Sequence, residues 1–147
     1  MKKSIHNLTN QEIMDAVVNQ LESYYPHTKD QITYMLKEGM KEPTEHLDGM
    51  AYCRLNPSLI IYPFGFKIIK KEVGGDHIIP PEELKNLITE CDKHQCNCMF
   101  YIIVRPCGCV QVYKIEKREG EGEREPLGPA GTTIEVGVDF CFNIFDN

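Results

Sequence analysis

The sequence predicts an α+β domain in which two N-terminal helices and one inserted helix pack on a mainly antiparallel sheet of about five or six strands. Three observations predict it. Apolar residues recur at helical spacing up to Met40 and again from Pro81 to Lys93. Runs rich in β-branched and aromatic residues, such as "MAYCRL" and "SLIIYPFGFKIIKK", are punctuated by Gly, Pro and Asn. The last run, "GTTIEVGVDFCFNIF", alternates apolar and polar residues in the manner of a half-buried strand.

The first helix opens on a capping box, Thr9 with Glu12, and Leu8 can staple against Ile13. Ile13, Val17, Leu21 and Tyr24 then share one face, and Pro26 stops the helix. The same grammar predicts a second helix: Thr28 with Gln31 reads as another box, Ile32, Met35, Leu36 and Met40 as a stripe, and Gly39 as its end. Residues 41–49 read as a loop. Two strands follow with Asn56-Pro57 as the turn between them, and Pro63 and Gly65 imply a bend or an edge position in the second. The inserted helix begins at a Pro pair, carries Glu82 and Glu83 in its first turn, and aligns Leu84, Leu87, Ile88 and Cys91. "MFYIIV" from Met99 to Val104 is apolar on both faces and needs cover on both; the chain's own helices are the expected cover, and a homodimer is the alternative. The final strand is expected to put Ile134, Val136, Val138, Phe140, Phe142 and Ile144 on one side. Between the last two strands, residues 118–131 are expected to form a mobile loop.

Length and charge set the function classes. The 147 residues, 41% hydrophobic and 26% charged, suit one domain spanning 1–147. A net charge of −6 argues against nucleic-acid binding; Arg54, Lys67, Lys70 and Lys71 are candidates for a local basic patch, but Lys67 to Lys71 read rather as the wet edge of a strand. The opening "MKKSIHNLTNQE" lacks the apolar stretch of a signal peptide, and the sequence has no apolar run long enough to span a bilayer. A cytoplasmic protein with reduced cysteines, not a membrane protein, is the expectation.

"CNCMFYIIVRPCGC" invites a zinc reading. "RPCGC" predicts a three-residue hairpin loop that pairs Arg105 with Cys109 and so sets Cys98 opposite Glu116. Cys98 then lies more than about 20 Å from the turn, too far for four thiolates to share one ion. A smaller cluster stays open. A register that sets Cys141 opposite Cys109 brings Cys107, Cys109 and Cys141 together as candidate ligands for zinc or as redox thiols, although packing is the commoner use of Cys. No cofactor is otherwise expected.

His46 with Asp48, and Asp76 with His77, are the residue types from which a general base and its orienting carboxylate are built, with Cys53 as a candidate nucleophile. No fixed-spacing catalytic motif joins them. The sequence therefore favours a small acidic binding or regulatory protein over an enzyme. Its partner would be a protein or a small ligand, met through the strand faces and the 118–131 loop, with Arg118 and Arg124 as loop contacts. A metal- or thiol-dependent hydrolase built from the loop His, Asp and Cys residues is the alternative; convergence of those loops on one cleft would favour the enzyme and dispersal the binder.

Overall fold

A computed structural model describes residues 4–42, 44–55, 60–72, 77–96, 98–119 and 132–146. Helix α1 (Asn10–Tyr24) starts as its sequence dictates: Thr9 Oγ1 accepts from the Glu12 amide at 3.1 Å, and Glu12 Oε1 accepts from the Thr9 amide at 3.0 Å. Its buried stripe is Ile13, Met14, Val17 and Leu21.

The second predicted helix is a strand, so the described residues hold two α-helices rather than three. Asp30 has φ +62°, a left-handed conformation that stops a helix from starting. The Thr28 hydroxyl donates back to the Tyr25 carbonyl at 2.6 Å and caps nothing downstream. Ile32–Leu36 then forms β1, paired antiparallel with β2 (Gly49–Leu55) from Ile32 opposite Cys53 to Leu36 opposite Gly49. The long-range partner decides the outcome over the local helical spacing, and Ile, Thr and Tyr at the start of the segment favour it.

The sheet has six strands in the order β1-β2-β3-β4-β5-β6, completed by β3 (Ile60–Lys70), β4 (Cys98–Val104), β5 (Cys109–Glu119) and β6 (Thr132–Asn143). It is mixed, not mainly antiparallel, because β3 and β4 run parallel. Helix α2 (Pro81–Lys93) lies between them in the chain, and such a helical crossover returns the chain to the end from which β3 started. Pro63 is tolerated in β3 because β4 pairs with that strand only from Gly65 onward. The turn expected at Asn56-Pro57 lies outside the described residues.

The two helices cover opposite faces. Phe66, Phe100, Ile102, Val104, Val110 and Val112 pack in one core with Ile13, Val17 and Leu21 of α1. Met99, Tyr101, Ile103 and Ile115 pack in a second core with Leu87 and Cys91 of α2. Every residue of β4 is buried, so the doubly apolar run is covered by the chain itself. Gly65 permits the close approach on the α2 side, since a β-carbon there would lie 3.0 Å from Cys91 Sγ and 3.0 Å from Leu47 Cδ2. Helix α2 ends in a Schellman motif: Gln95 has φ +62°, its amide donates to the Asp92 carbonyl, and the Cys96 amide donates to the Cys91 carbonyl at 2.9 Å.

The β4–β5 hairpin matches its sequence. The Arg105 amide donates to the Cys109 carbonyl at 2.9 Å, Gly108 has φ +92°, and Cys98 is opposite Glu116. The last strand differs from expectation. Cys109 is opposite Asn143, and Cys141 is opposite Gln111, two residues away from the expected partner. A bulge between Val112 and Tyr113 moves the register from Phe140 to Val138, which interrupts the single alternation expected over 134–144. Of the segment 118–131 expected to be mobile, Arg118 and Glu119 belong to β5, and 120–131 lie outside the described residues. Among the described residues no helix is long and apolar enough to cross a membrane.

Candidate functional site

Among the described residues, the loop groups picked out by their chemistry are not brought together. His46 precedes β2, and its backbone amide donates to the Glu90 carboxylate at 2.8 Å. Its ring lies 3.9 Å from the Glu45 carboxylate, while the Asp48 carboxylate turns the other way and accepts from the Ile68 amide at 2.6 Å. Asp48 also joins the strands through its backbone, donating to the Phe66 carbonyl and accepting from the Lys37 amide. It completes the sheet between β1 and β3 and does not orient His46.

His77 lies at the opposite end of α2. Glu83, near His77, and Glu90, which holds the His46 loop, are seven positions apart on the helix, about 10 Å at the helical rise. Cys53 is on the other face of the sheet, in β2, where burial pushes its thiol up and lowers its nucleophilic fraction at neutral pH. Asp76 and Arg124 lie outside the described residues, and Arg118 is placed only by its register opposite Thr133.

The hairpin thiols are near one another. Cys107 and Cys141 are exposed and Cys109 is half-buried. Burial, with Cys107 and Cys141 nearby, pushes the Cys109 thiol up against the opposing pull of Arg105. The side-chain amide of Asn143 donates to the Cys107 carbonyl at 3.2 Å and its Oδ1 accepts from the Phe145 amide at 2.9 Å, which ties the turn to the end of β6. No group of three or more His, Cys, Asp or Glu among the described residues is arranged to hold a metal ion.

Two other places carry more chemistry. On the α1 face, a cavity of about 310 Å³ lies where the sheet extends past the end of the helix. Ala51, Cys53, Tyr62, Phe64, Phe100 and Lys114 form its floor across four strands. Leu21, Tyr25, His27 and Thr28 form its roof, with Ile32 of β1 at its side. Phe64 and Phe100 meet with ring centroids 5.6 Å apart, so the floor presents adjoining aromatic surfaces. Lys114 Nζ lies 3.1 Å from the Glu116 carboxylate.

On the α2 face, a polar chain crosses an otherwise apolar core. Tyr101 is 0% exposed; its hydroxyl donates to Glu83 Oε1 at 3.4 Å and lies 2.9 Å from His77 Nε2. Burial, reinforced by Glu83, pushes the Tyr101 hydroxyl far above its ordinary value and keeps its proton in place. His77 is pushed down by burial and by Lys71 and Arg105, with Glu83 acting in the opposite sense, so neutral imidazole is its resting form. His77, Ile79, Leu84, Ile103 and Tyr113 line a second cavity of about 260 Å³. The site lies at the carboxyl ends of the parallel pair β3 and β4, where open sheets commonly place ligands.

Sequence reasoning named His77 but missed Tyr101 and Glu83 as its partners. One signal was available: a hydroxyl in a strand covered on both faces requires a hydrogen-bond partner. Comparison with protein-family models, with curated proteins and with solved structures finds no match to this chain.

Proposed function

We propose that this chain is a small-ligand binding module that holds a flat, apolar molecule in the α1-face cavity. The observation that carries the reading is an apolar hollow of about 310 Å³ floored by Phe64, Phe100 and Tyr62. That volume is at the small end of the roughly 300–1,000 Å³ usual for ligand clefts and suits one or two fused rings. The dispersal of His46, Asp48, His77 and Cys53 around the fold favours binding over a single hydrolytic centre. Seven unbridged cysteines fit a reducing, cytosolic setting for it.

Indole is a suitable first probe, followed through the backbone amide signals of the protein. It should move the signals of Ala51, Cys53 and Phe100, and Ala51→Leu, which fills part of the floor, should weaken it by at least about tenfold. Shifts confined to other surfaces, or unchanged affinity in Ala51→Leu, would remove the reading.

A further inference from the structure

The α2-face cavity supports an independent second site, and its polar chain says what such a site selects. Glu83 carries a carboxylate that only accepts, and Tyr101 has a single hydroxyl proton. With that proton directed to Glu83, the Tyr101 oxygen accepts from His77 Nε2–H at 2.9 Å. The imidazole is thereby held in one tautomer, and the nitrogen left to meet a ligand is Nδ1, a lone-pair acceptor with no hydrogen-bond partner among the described residues. The rings of His77 and Tyr101 are 5.5 Å apart and tilted by 35°, which braces the imidazole against the strand.

The surroundings narrow the ligand further. Ile79, Leu84, Ile103 and Tyr113 offer an apolar wall with one aromatic ring, and about 260 Å³ suits a single-ring body. Lys71 and Arg105, which follow the ends of β3 and β4, act on His77 as nearby positive charges. Positive charge beside an acceptor favours a donor that gains negative character as it donates, an acidic hydroxyl over an alcohol. Glu83 opposes this field, but its carboxylate is engaged by Tyr101.

We propose that the cavity at the carboxyl ends of β3 and β4 binds a small phenol, with the hydroxyl donating to His77 Nδ1 and the ring against Ile79, Leu84, Ile103 and Tyr113. Tyr101 and Glu83 are positioning residues that set the tautomer.

The test compares para-nitrophenol with para-nitroanisole, which keeps the ring and loses the donor, using the intact protein and histidine side-chain NMR. The phenol should bind and move the His77 ring signals, and the ether should bind at least about tenfold more weakly. Tyr101→Phe should redistribute the His77 tautomers and weaken the phenol several-fold while leaving the ether unchanged. Should that variant fail to fold, His77→Gln at its half-buried position, whose amide reaches the place of Nε2 and leaves no acceptor at that of Nδ1, should likewise weaken the phenol and not the ether. Equal affinity for phenol and ether, or phenol signals confined to residues other than His77, would overturn the proposal. Indole binding on the α1 face in the His77→Gln variant separates this outcome from the fate of the first site.

Discussion

Glu90 should be among the most costly polar side chains to remove. Its carboxylate accepts from the Thr44 hydroxyl and from the amides of Glu45 at 3.0 Å, His46 at 2.8 Å and Leu47 at 2.8 Å. Four donors from one loop therefore converge on one α2 side chain. A hydrogen bond to a charged group contributes about 1.5–3 kcal/mol net, but water replaces part of this once the half-buried loop is released. Glu90→Ala should cost ~2–3 kcal/mol, well under the simple sum, and Glu90→Gln, which keeps one acceptor oxygen, about half as much. Urea unfolding at constant m-value reads the loss, and amide exchange should accelerate at Glu45, His46 and Leu47. The pH dependence follows from the same contacts. Burial pushes the carboxyl up, but the Thr44, Leu47, His46 and Glu45 bonds outweigh it and hold the folded value below the ordinary 4.5. The stabilisation is therefore complete above 4.5 and is lost as pH falls through the folded value, so the gap between wild type and Glu90→Gln should narrow on acidification. A Glu90→Ala midpoint within error of wild type, with unchanged exchange in the loop, would refute this account of the loop's anchorage.

Two further outcomes follow from packing and exposure. Gly65→Ala places a methyl 3.0 Å from Cys91 Sγ and 3.0 Å from Leu47 Cδ2, so α2 and the loop must shift, at an expected cost of ~1–3 kcal/mol in the same urea assay. In native protein, a thiol reagent should label exposed Cys107 and Cys141 fast and half-buried Cys109 more slowly, with Cys53, Cys91, Cys96 and Cys98 labelled only on unfolding; rapid loss of all seven thiols would contradict the burial described.

What was legible in the sequence was local. The capping box of α1, the Gly108 turn and the Cys98–Glu116 register each depend on residues close in the chain, and each matches the structure. Segment 32–36 was misread because Ile32, Met35 and Leu36 satisfy helical spacing, while the β2 partner that makes them a strand lies more than a dozen residues away. The parallel pairing had a visible sign, a helix between two strands, that a mainly antiparallel reading passed over. Cys141 missed Cys109 because a long connection does not fix register as a tight turn does. The Glu90 anchor had no local signature, since its partners are 43 to 46 residues earlier.

The two cavities also depend on one alignment that neither displays alone. Phe100 floors the α1-face cavity, and its chain neighbour Tyr101 supplies the hydroxyl of the polar chain on the α2 face. They point to opposite sides because β4 alternates, and the parallel register with β3 sets Phe100 opposite Phe66 and Tyr101 opposite Lys67. A slip of one residue in β4 would bring a phenol ring without a partner into the α1-side core and leave Glu83 facing a phenyl group. Side-chain replacement can therefore alter either cavity by itself, whereas loss of the β3–β4 register alters both. The fixed register therefore matters most at β4, which is buried along its whole length between the α1 and α2 cores.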